Sequence, residues 1–260
     1  MRINLVGGRG DMGKIHSKVF EELGHEVIIT GRSSNPTPIE AAKISDITII
    51  SVPLSETEEI IKQVAPHAKA IVDFSSVKMK PMEWMLKYSK KDTEVAGLHP
   101  LYGETDSIKD KTIVFCKTEK TGKTCNVLVK ILKQAGANII EMTPEEHDLK
   151  VNGLSQNART IILETFGAIL NKNKIDVESF YKISPPPTRL ILDLLARQSN
   201  EKNDEMYESM KKLNPKQEEI NKELLECLAQ VIKEQNPQNI RDLFGKELKS
   251  AQDRVKREIK

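Results

Sequence analysis

The first thirteen residues constrain this chain more than any other stretch. Ile3-Asn4-Leu5-Val6 reads as a short buried strand, and Gly7-Gly8-Arg9-Gly10-Asp11-Met12-Gly13 as a tight turn opening into a helix. Gly8, Gly10 and Gly13 keep the G-x-G-x-x-G spacing that lets a helix N-terminus approach a pyrophosphate. The pattern alone is weakly specific, so its surroundings must carry it. Ile15, Val19, Phe20 and Leu23 recur at helical spacing, which predicts a helix over 14–23 closed by Gly24. A second strand is expected over 26–30. The whole is a βαβ unit of about thirty residues, the size of a dinucleotide-binding half, with Gly8, Arg9, Gly10, Asp11, Met12 and Gly13 around the phosphates.

The end of the second strand speaks to cofactor choice. A site selective for NAD usually places a carboxylate there to accept hydrogen bonds from the ribose 2′-hydroxyl. This chain has Thr30-Gly31-Arg32-Ser33-Ser34 and no acid. A guanidinium at Arg32 forks onto a 2′-phosphate, with Gly31, Ser33 and Ser34 beside it, and Arg9 flanks the same group or stacks on the adenine. NADP is therefore expected, with NAD as the alternative.

Further along, 46–52 is an almost continuous apolar, β-branched run, as in a strand covered on both faces of a parallel sheet. Ser55 with Glu58 suggests a capping box for a helix ending near Ala65. Strands are expected at 70–73, 94–97, 112–116 and 137–141, with a helix over 121–135 capped by Gly136. This alternation predicts an α/β, Rossmann-type, doubly wound and mainly parallel sheet over residues 1–146. From 147 to 260 only helical periodicity remains, broken by Pro185-Pro186-Pro187, Pro215 and Pro237. Leu154, Ala158, Ile161, Ile162, Thr165 and Ile169 fall on or near one face of a long helix. The second region is read as an all-helical substrate and dimerisation domain, since its apolar faces exceed what one small bundle needs. Its last stretch, 246–260, reads as a charged, solvated helix. Met206 and Tyr207 are expected to pack in the helical core.

Composition narrows the classes. Lys+Arg 40 against Asp+Glu 38 leaves a formal charge of +2, without the concentrated basic patch of a nucleic-acid binder. Cys116, Cys125 and Cys227 are odd in number and lack C-x-x-C spacing, which fits reduced thiols better than disulfides or zinc, and no other metal-ligand cluster is visible. No apolar run reaches the roughly 18 residues of a membrane span, and no signal peptide is visible, so a cytoplasmic protein is expected.

Two segments at the C-terminal ends of expected strands, where open parallel sheets bind ligands, carry the chemistry. They are Asp73-Phe74-Ser75-Ser76-Val77-Lys78 and Gly97-Leu98-His99-Pro100-Leu101-Tyr102-Gly103. His99 is the histidine placed as a functional one. His16, His25 and His67 are read as structural or bland.

With Ser51-Val52-Pro53 and Glu146-His147-Asp148, these segments make the chain resemble the prephenate/arogenate dehydrogenase family of tyrosine biosynthesis, over about residues 3 to 155. The Gly-Gly-x-Gly-Asp-x-Gly form, Thr30-Gly31-Arg32 and Leu213-Asn214-Pro215 are most similar to its archaeal branch. The resemblance implies NAD(P)-dependent oxidative decarboxylation of prephenate or arogenate by a homodimer. His99 would be the base that takes the ring hydroxyl proton, Ser76 its orienting partner, and Ser51, Val52 and Pro53 part of the cofactor wall. His147 is left between a catalytic role and a capping or hinge role.

The chain departs from the family after this point. In Ser155-Gln156-Asn157-Ala158-Arg159 an arginine stands where a histidine is expected, and Glu208 aligns with a substrate-binding arginine. The substrate carboxylates need a cation, for which Arg159 is the candidate, with Lys78 and Arg189 in reserve and Ser155 and Gln156 as polar contacts. Two other readings follow: a related NADP-dependent dehydrogenase of another small hydroxy acid, or a catalytically silent NADP-binding sensor.

Overall fold

The computed structural model describes residues 1–200 and 204–234. It divides the chain into two compact units, Met1–Gln217 and Glu218–Lys260. In the first, seven strands form one sheet: β1 Arg2–Val6, β2 Glu26–Thr30, β3 Ile47–Ile50, β4 Ala70–Asp73, β5 Glu94–Pro100, β6 Thr112–Lys117 and β7 Asn138–Met142. Their order is β2-β1-β3-β4-β5-β6-β7, and every pairing is parallel except β5 with β6. The order reverses between β1 and β3, so the crevice that binds ligands in doubly wound sheets opens above their C-terminal ends.

Alternation along the strands explains why the sheet is covered on both faces. Ile3, Leu5, Ile47, Ile49, Val72 and Leu98 pack on one side with Phe20 and Leu128. Val6, Ile50, Ile71, Val95 and Val114 pack on the other with Ile61, Met82 and Met85. A period of two in a strand buried on both faces needs this continuous apolar run. One polar layer interrupts it: Thr30 Oγ1 donates to Asn4 Oδ1 (2.8 Å), and Asn4 Nδ2 donates to the Pro38 carbonyl (3.2 Å). Buried amides persist when paired in this way.

The helices between the strands are α1 Asp11–Glu22, α2 Pro38–Ile44, α3 Thr57–Val64, α4 Met79–Tyr88 and α5 Lys123–Gln134. Gly24 and Gly136 close α1 and α5 at φ +77° and +91°, as their positions in the sequence require. The expected capping box at Ser55 and Glu58 is not what starts α3. A 3₁₀ turn at Leu54–Glu56 intervenes, and Glu56 occupies the N-cap without a side-chain bond. Capping boxes occur instead at Thr37 with Glu40, opening α2, and at Thr143 with Glu146, opening the short α6 Pro144–His147.

The described residues beyond α6 are helical: a π-helical segment Asp148–Ala158, α7 Arg159–Lys172, α8 Val177–Ile183, α9 Pro186–Asn200, α10 Asp204–Leu213 and α11 Gln217–Glu234. The wider π turns shift the phase of the long helix against a 3.6-residue count. Val151, Leu163 and Leu170 turn inward, while Leu154, Ile162 and Ile169 of the expected apolar face are about half exposed. The side chains of Met206 and Tyr207 and the stretch 246–260 lie outside the described residues.

Candidate active site

The glycine turn is built by exclusion of side chains. Gly7, one residue before the recognised spacing, takes the left-handed conformation (φ +84°), and a Cβ there would lie 2.8 Å from the Ser51 carbonyl carbon at the end of β3. Gly7 N–H donates to the Thr30 carbonyl (2.8 Å), which joins the turn to the end of β2. A Cβ on Gly13 would come within 2.6 Å of Gly8 C and 2.7 Å of Gly7 O, so α1 packs directly on the backbone of the turn. Gly10 is different: exposed, and with nothing closer than Gly7 O at 3.4 Å. It is the N-cap of α1 and provides no side-chain cap, which leaves the first-turn amides of Asp11, Met12 and Gly13 for an incoming anion. The residues present therefore fit a dinucleotide. Arg9 and Asp11 are exposed beside the turn, and Val52 and Pro53 continue the wall from Ser51.

Arg32 projects from the end of β2 and is ion-paired with Glu56 of the turn after β3. Ser34 is used internally: its hydroxyl donates to the Pro36 carbonyl (2.7 Å) and accepts from Gly31 N–H (3.1 Å). Ser33 is exposed. Arg32 and Ser33 thus face outward, while Ser34 shapes the turn that presents them.

His99 lies in β5 itself, which runs three residues further than expected, to Pro100. Alternation turns Leu98 to one face and His99 to the other, toward α6. His99 Nδ1 is hydrogen-bonded to His147 Nε2 (2.8 Å), and His147 Nδ1 to Asp148 Oδ1 (2.8 Å). All three side chains are buried. Asp148 also accepts the N–H groups of Lys78 (2.7 Å) and Met79 (3.0 Å), supplying the cap that α4 otherwise lacks. Asn214, in the motif after α10, donates to the Asp148 carbonyl (3.1 Å) and to Asn152 Oδ1 (2.9 Å). Burial, with His147 and the Lys78 ammonium nearby, holds His99 well below the ordinary histidine value, so it is neutral at neutral pH. Burial also lowers His147, opposed by its bond to Asp148. His147, left between a catalytic and a capping role by the sequence, is joined to His99, and with it come Asp148 and Asn214, for which the sequence suggested no catalytic or binding role. The adjacency of a histidine and an aspartate in Glu146-His147-Asp148 was the available signal.

The other candidates are dispersed. Ser76 is half-buried, and its carbonyl accepts from Asn152 Nδ2 (3.4 Å). The hydrogen bond that orients His99 comes from His147 rather than from the Ser76 hydroxyl. Lys78 is corrected from a substrate contact to a structural cation: its fully buried ammonium pairs with Asp73 and donates to the Leu98 carbonyl (2.8 Å). A buried ammonium must be neutralised within the protein, and β4 supplies the carboxylate. Arg189 is likewise engaged, donating to the carbonyls of Tyr181 (3.1 Å) and Lys182 (3.0 Å) at the end of α8. Arg159 and Ser155 are exposed, and Gln156 keeps a buried Oε1 without a partner among the described residues. Glu208 lines a cavity of about 180 Å³ with Asn152, Asn157, Thr160, Glu164 and Lys211. His16 is buried in α1. Its Nδ1 donates to the Met12 carbonyl (2.8 Å), leaving Nε2 to accept from the Tyr102 hydroxyl (3.0 Å).

With this geometry in view, residues 17–141 match the family model of the prephenate dehydrogenase nucleotide-binding domain. The chain is also 28% identical to a probable arogenate/prephenate dehydrogenase of Methanocaldococcus jannaschii, over 96% of this chain and 60% of that protein. It is 26% identical to the T-protein of Enterobacter agglomerans, over 74% of this chain and 52% of that protein. The chain thus spans roughly half to three-fifths of the length of these curated relatives. The prephenate dehydrogenase of Aquifex aeolicus, solved with hydroxyphenyl propionate and NAD+, shares the fold at a TM-score of 0.71 and 18% identity, covering 100% of this chain and 98% of that one. The glycine turn and His99 stand at one edge of one sheet.

Proposed function

We propose that the chain is an NADP-preferring dehydrogenase that oxidatively decarboxylates prephenate or arogenate, with NAD as the alternative cofactor. The observation that carries this reading is His99, a neutral buried imidazole at the C-terminal end of β5, its Nδ1 held by His147 and its Nε2 without a hydrogen-bond partner among the described residues. It shares a sheet edge with the uncapped helix N-terminus at Gly10. A base so placed accepts the proton of the substrate's ring hydroxyl. A bound nicotinamide supplies the acceptor for the hydride that leaves the same ring carbon, and loss of the ring carboxylate as CO2 aromatises the product.

The chain's own residues divide the remaining tasks. The amides of Asp11, Met12 and Gly13 hold the pyrophosphate, with Gly8 and Gly10 clearing its approach and Ser51, Val52 and Pro53 forming the wall. Arg32, with Ser33 and Arg9, takes the 2′-phosphate by exchanging Glu56 for it. Arg159, Ser155 and Gln156 meet the substrate carboxylates. Residues 147–260 serve the substrate side and a homodimer, which suits the half-exposed Leu154, Ile162, Ile169 and Leu190. The free cysteines suit a reducing compartment, the cytoplasm.

The test is His99→Asn assayed by reduced-nicotinamide absorbance with both substrates and both cofactors. Turnover should fall by about 10²–10⁴-fold while cofactor affinity holds. Unchanged turnover, or no turnover of either substrate by the unaltered protein, rejects the reading.

A further inference from the structure

We infer that His147 and Asp148 are positioning residues that fix His99 in the tautomer with its proton on Nδ1, so that Nε2 faces the substrate as a lone pair. The inference rests on the dehydrogenase reading above and deepens it. Neither residue touches substrate in this proposal; both act through His99.

The proton positions follow from Asp148, the end of the relay that the main chain fixes. Both carboxylate oxygens of Asp148 accept main-chain protons, Oδ1 from Lys78 and Oδ2 from Met79. Oδ1 is therefore an acceptor toward His147 as well, and the Nδ1 of His147 carries the hydrogen in that 2.8 Å contact. His147 is buried and held below the ordinary histidine value, so it is neutral and its Nε2 has a lone pair. The 2.8 Å contact between the two imidazoles then leaves one arrangement, in which His99 Nδ1–H donates to His147 Nε2. What remains on His99 is an unprotonated Nε2. With the opposite tautomer, His99 would present a donor to the substrate hydroxyl and be unable to take its proton.

The relay also answers the charge that forms in the reaction. The O–H bond of the substrate hydroxyl breaks and an N–H bond forms at His99 Nε2, with no electrons leaving the protein. The resulting imidazolium is buried, where an isolated cation is costly. Among the described residues, the other charged groups around it are Lys78, already neutralised by Asp73, and Asp148, whose carboxylate pairs with no Lys or Arg. Asp148 is the negative charge left to meet the imidazolium, through His147. Asn214 and the N-terminus of α4 hold Asp148 in place from two further elements.

Two measurements test this. The first uses the unaltered full-length protein: nitrogen-15 NMR of its histidines, with His99 assigned by comparison with His99→Asn, reports which ring nitrogen bears hydrogen. A proton on Nδ1 of His99 is expected, and a proton on Nε2 overturns the inference whatever the activity. The second is kinetic. In Asp148→Asn the amide presents a donor to His147 or to a main-chain N–H, reversing or breaking the relay. kcat should fall by about 10²–10⁴-fold with KM for substrate and cofactor within about threefold. His147→Gln keeps an acceptor near Nε2 and should retain kcat within about tenfold, whereas His147→Leu should lose about 10²-fold or more. Equal kcat in the Gln and Leu variants, or kcat in Asp148→Asn within threefold of the unaltered protein, overturns the positioning role. A protein with the expected tautomer that turns over neither substrate would reject the proposed reaction and leave the tautomer assignment standing.

Discussion

The two glycines Gly10 and Gly13 lie three residues apart, yet replacing each with alanine should produce different failures. In Gly13→Ala the new methyl meets Gly7 O at 2.7 Å and Gly8 C at 2.6 Å, against about 3.4 Å for an ordinary contact. Because Gly8 Cα is nearer still, the turn and α1 must separate by roughly 1 Å to relieve the overlap. The opposing groups are main chain, so no flexible side chain gives way. The same displacement stretches Gly10 N–H to Gly7 O, now 3.0 Å, and Gly7 N–H to Thr30 O, now 2.8 Å, to the edge of hydrogen bonding or past it. Overpacking of this kind costs ~1–3 kcal/mol, and each weakened hydrogen bond costs ~1 kcal/mol. Alanine's better helix propensity returns at most ~1 kcal/mol. The net is a loss of about 2–4 kcal/mol, or a fall of roughly 4–16 °C in Tm for a unit of this size. In Gly10→Ala the nearest atom, Gly7 O, is at an ordinary 3.4 Å, so stability should change by less than about 0.5 kcal/mol. Its methyl instead stands over the free amides of α1, and NADP affinity should drop tenfold or more. Thermal unfolding and calorimetric titration with NADP separate the two cases. A Gly13→Ala protein as stable as the parent, or a Gly10→Ala protein as destabilised as Gly13→Ala, would refute the assignment of packing to one glycine and ligand approach to the other.

Other perturbations test different parts of the molecule. His16, pushed down to about 4 by burial, stays neutral in the folded chain while the unfolded chain binds a proton near 6.5. Its contribution is complete above pH 6.5 and is lost as pH falls toward 4, a change of about 3 kcal/mol. Urea unfolding at pH 7 and pH 4.5 should show that loss, and His16→Gln should remove much of the difference. Lys78→Met leaves the Asp73 carboxylate buried without its cation and should cost about 3–5 kcal/mol in urea unfolding; a change under 1 kcal/mol would return Lys78 to a peripheral role. Arg32→Ala acts on an exposed pair, so stability should move by less than about 1 kcal/mol. NADP affinity should fall about tenfold and NAD affinity less than threefold, as calorimetry would register; equal losses would remove Arg32 from the 2′-phosphate.

Alternation made the sheet legible before any coordinates. The β-branched runs at 47–50 and 70–73, the glycine turn and the caps at Gly24 and Gly136 follow from local chemistry that a window of ten residues contains. Glycine at φ near +80° and two-sided apolar strands admit few substitutes, so their positions in the sequence carry their structural meaning. Even so, the left-handed residue is Gly7, one position before the G-x-G-x-x-G spacing, and Ser51, forty-four residues away, leaves no room there for a side chain.

The site was legible only in part, because its decisive contacts join residues far apart in the chain. His99 could be singled out from its place at a strand end. That His147 holds its Nδ1 depends on β5 and α6 meeting across forty-eight residues. Lys78, beside Ser76 in sequence, looked available to a substrate carboxylate. Burial under α4 and the carboxylate of Asp73 on β4 commit it to the interior instead. The sequence by itself determined the doubly wound sheet, the glycine turn and the strand end that carries His99, since each is written in local periodicity and glycine stereochemistry. Only the tertiary structure decided which polar side chains reach that edge, because a buried charge or imidazole takes its role from partners that no local pattern encodes.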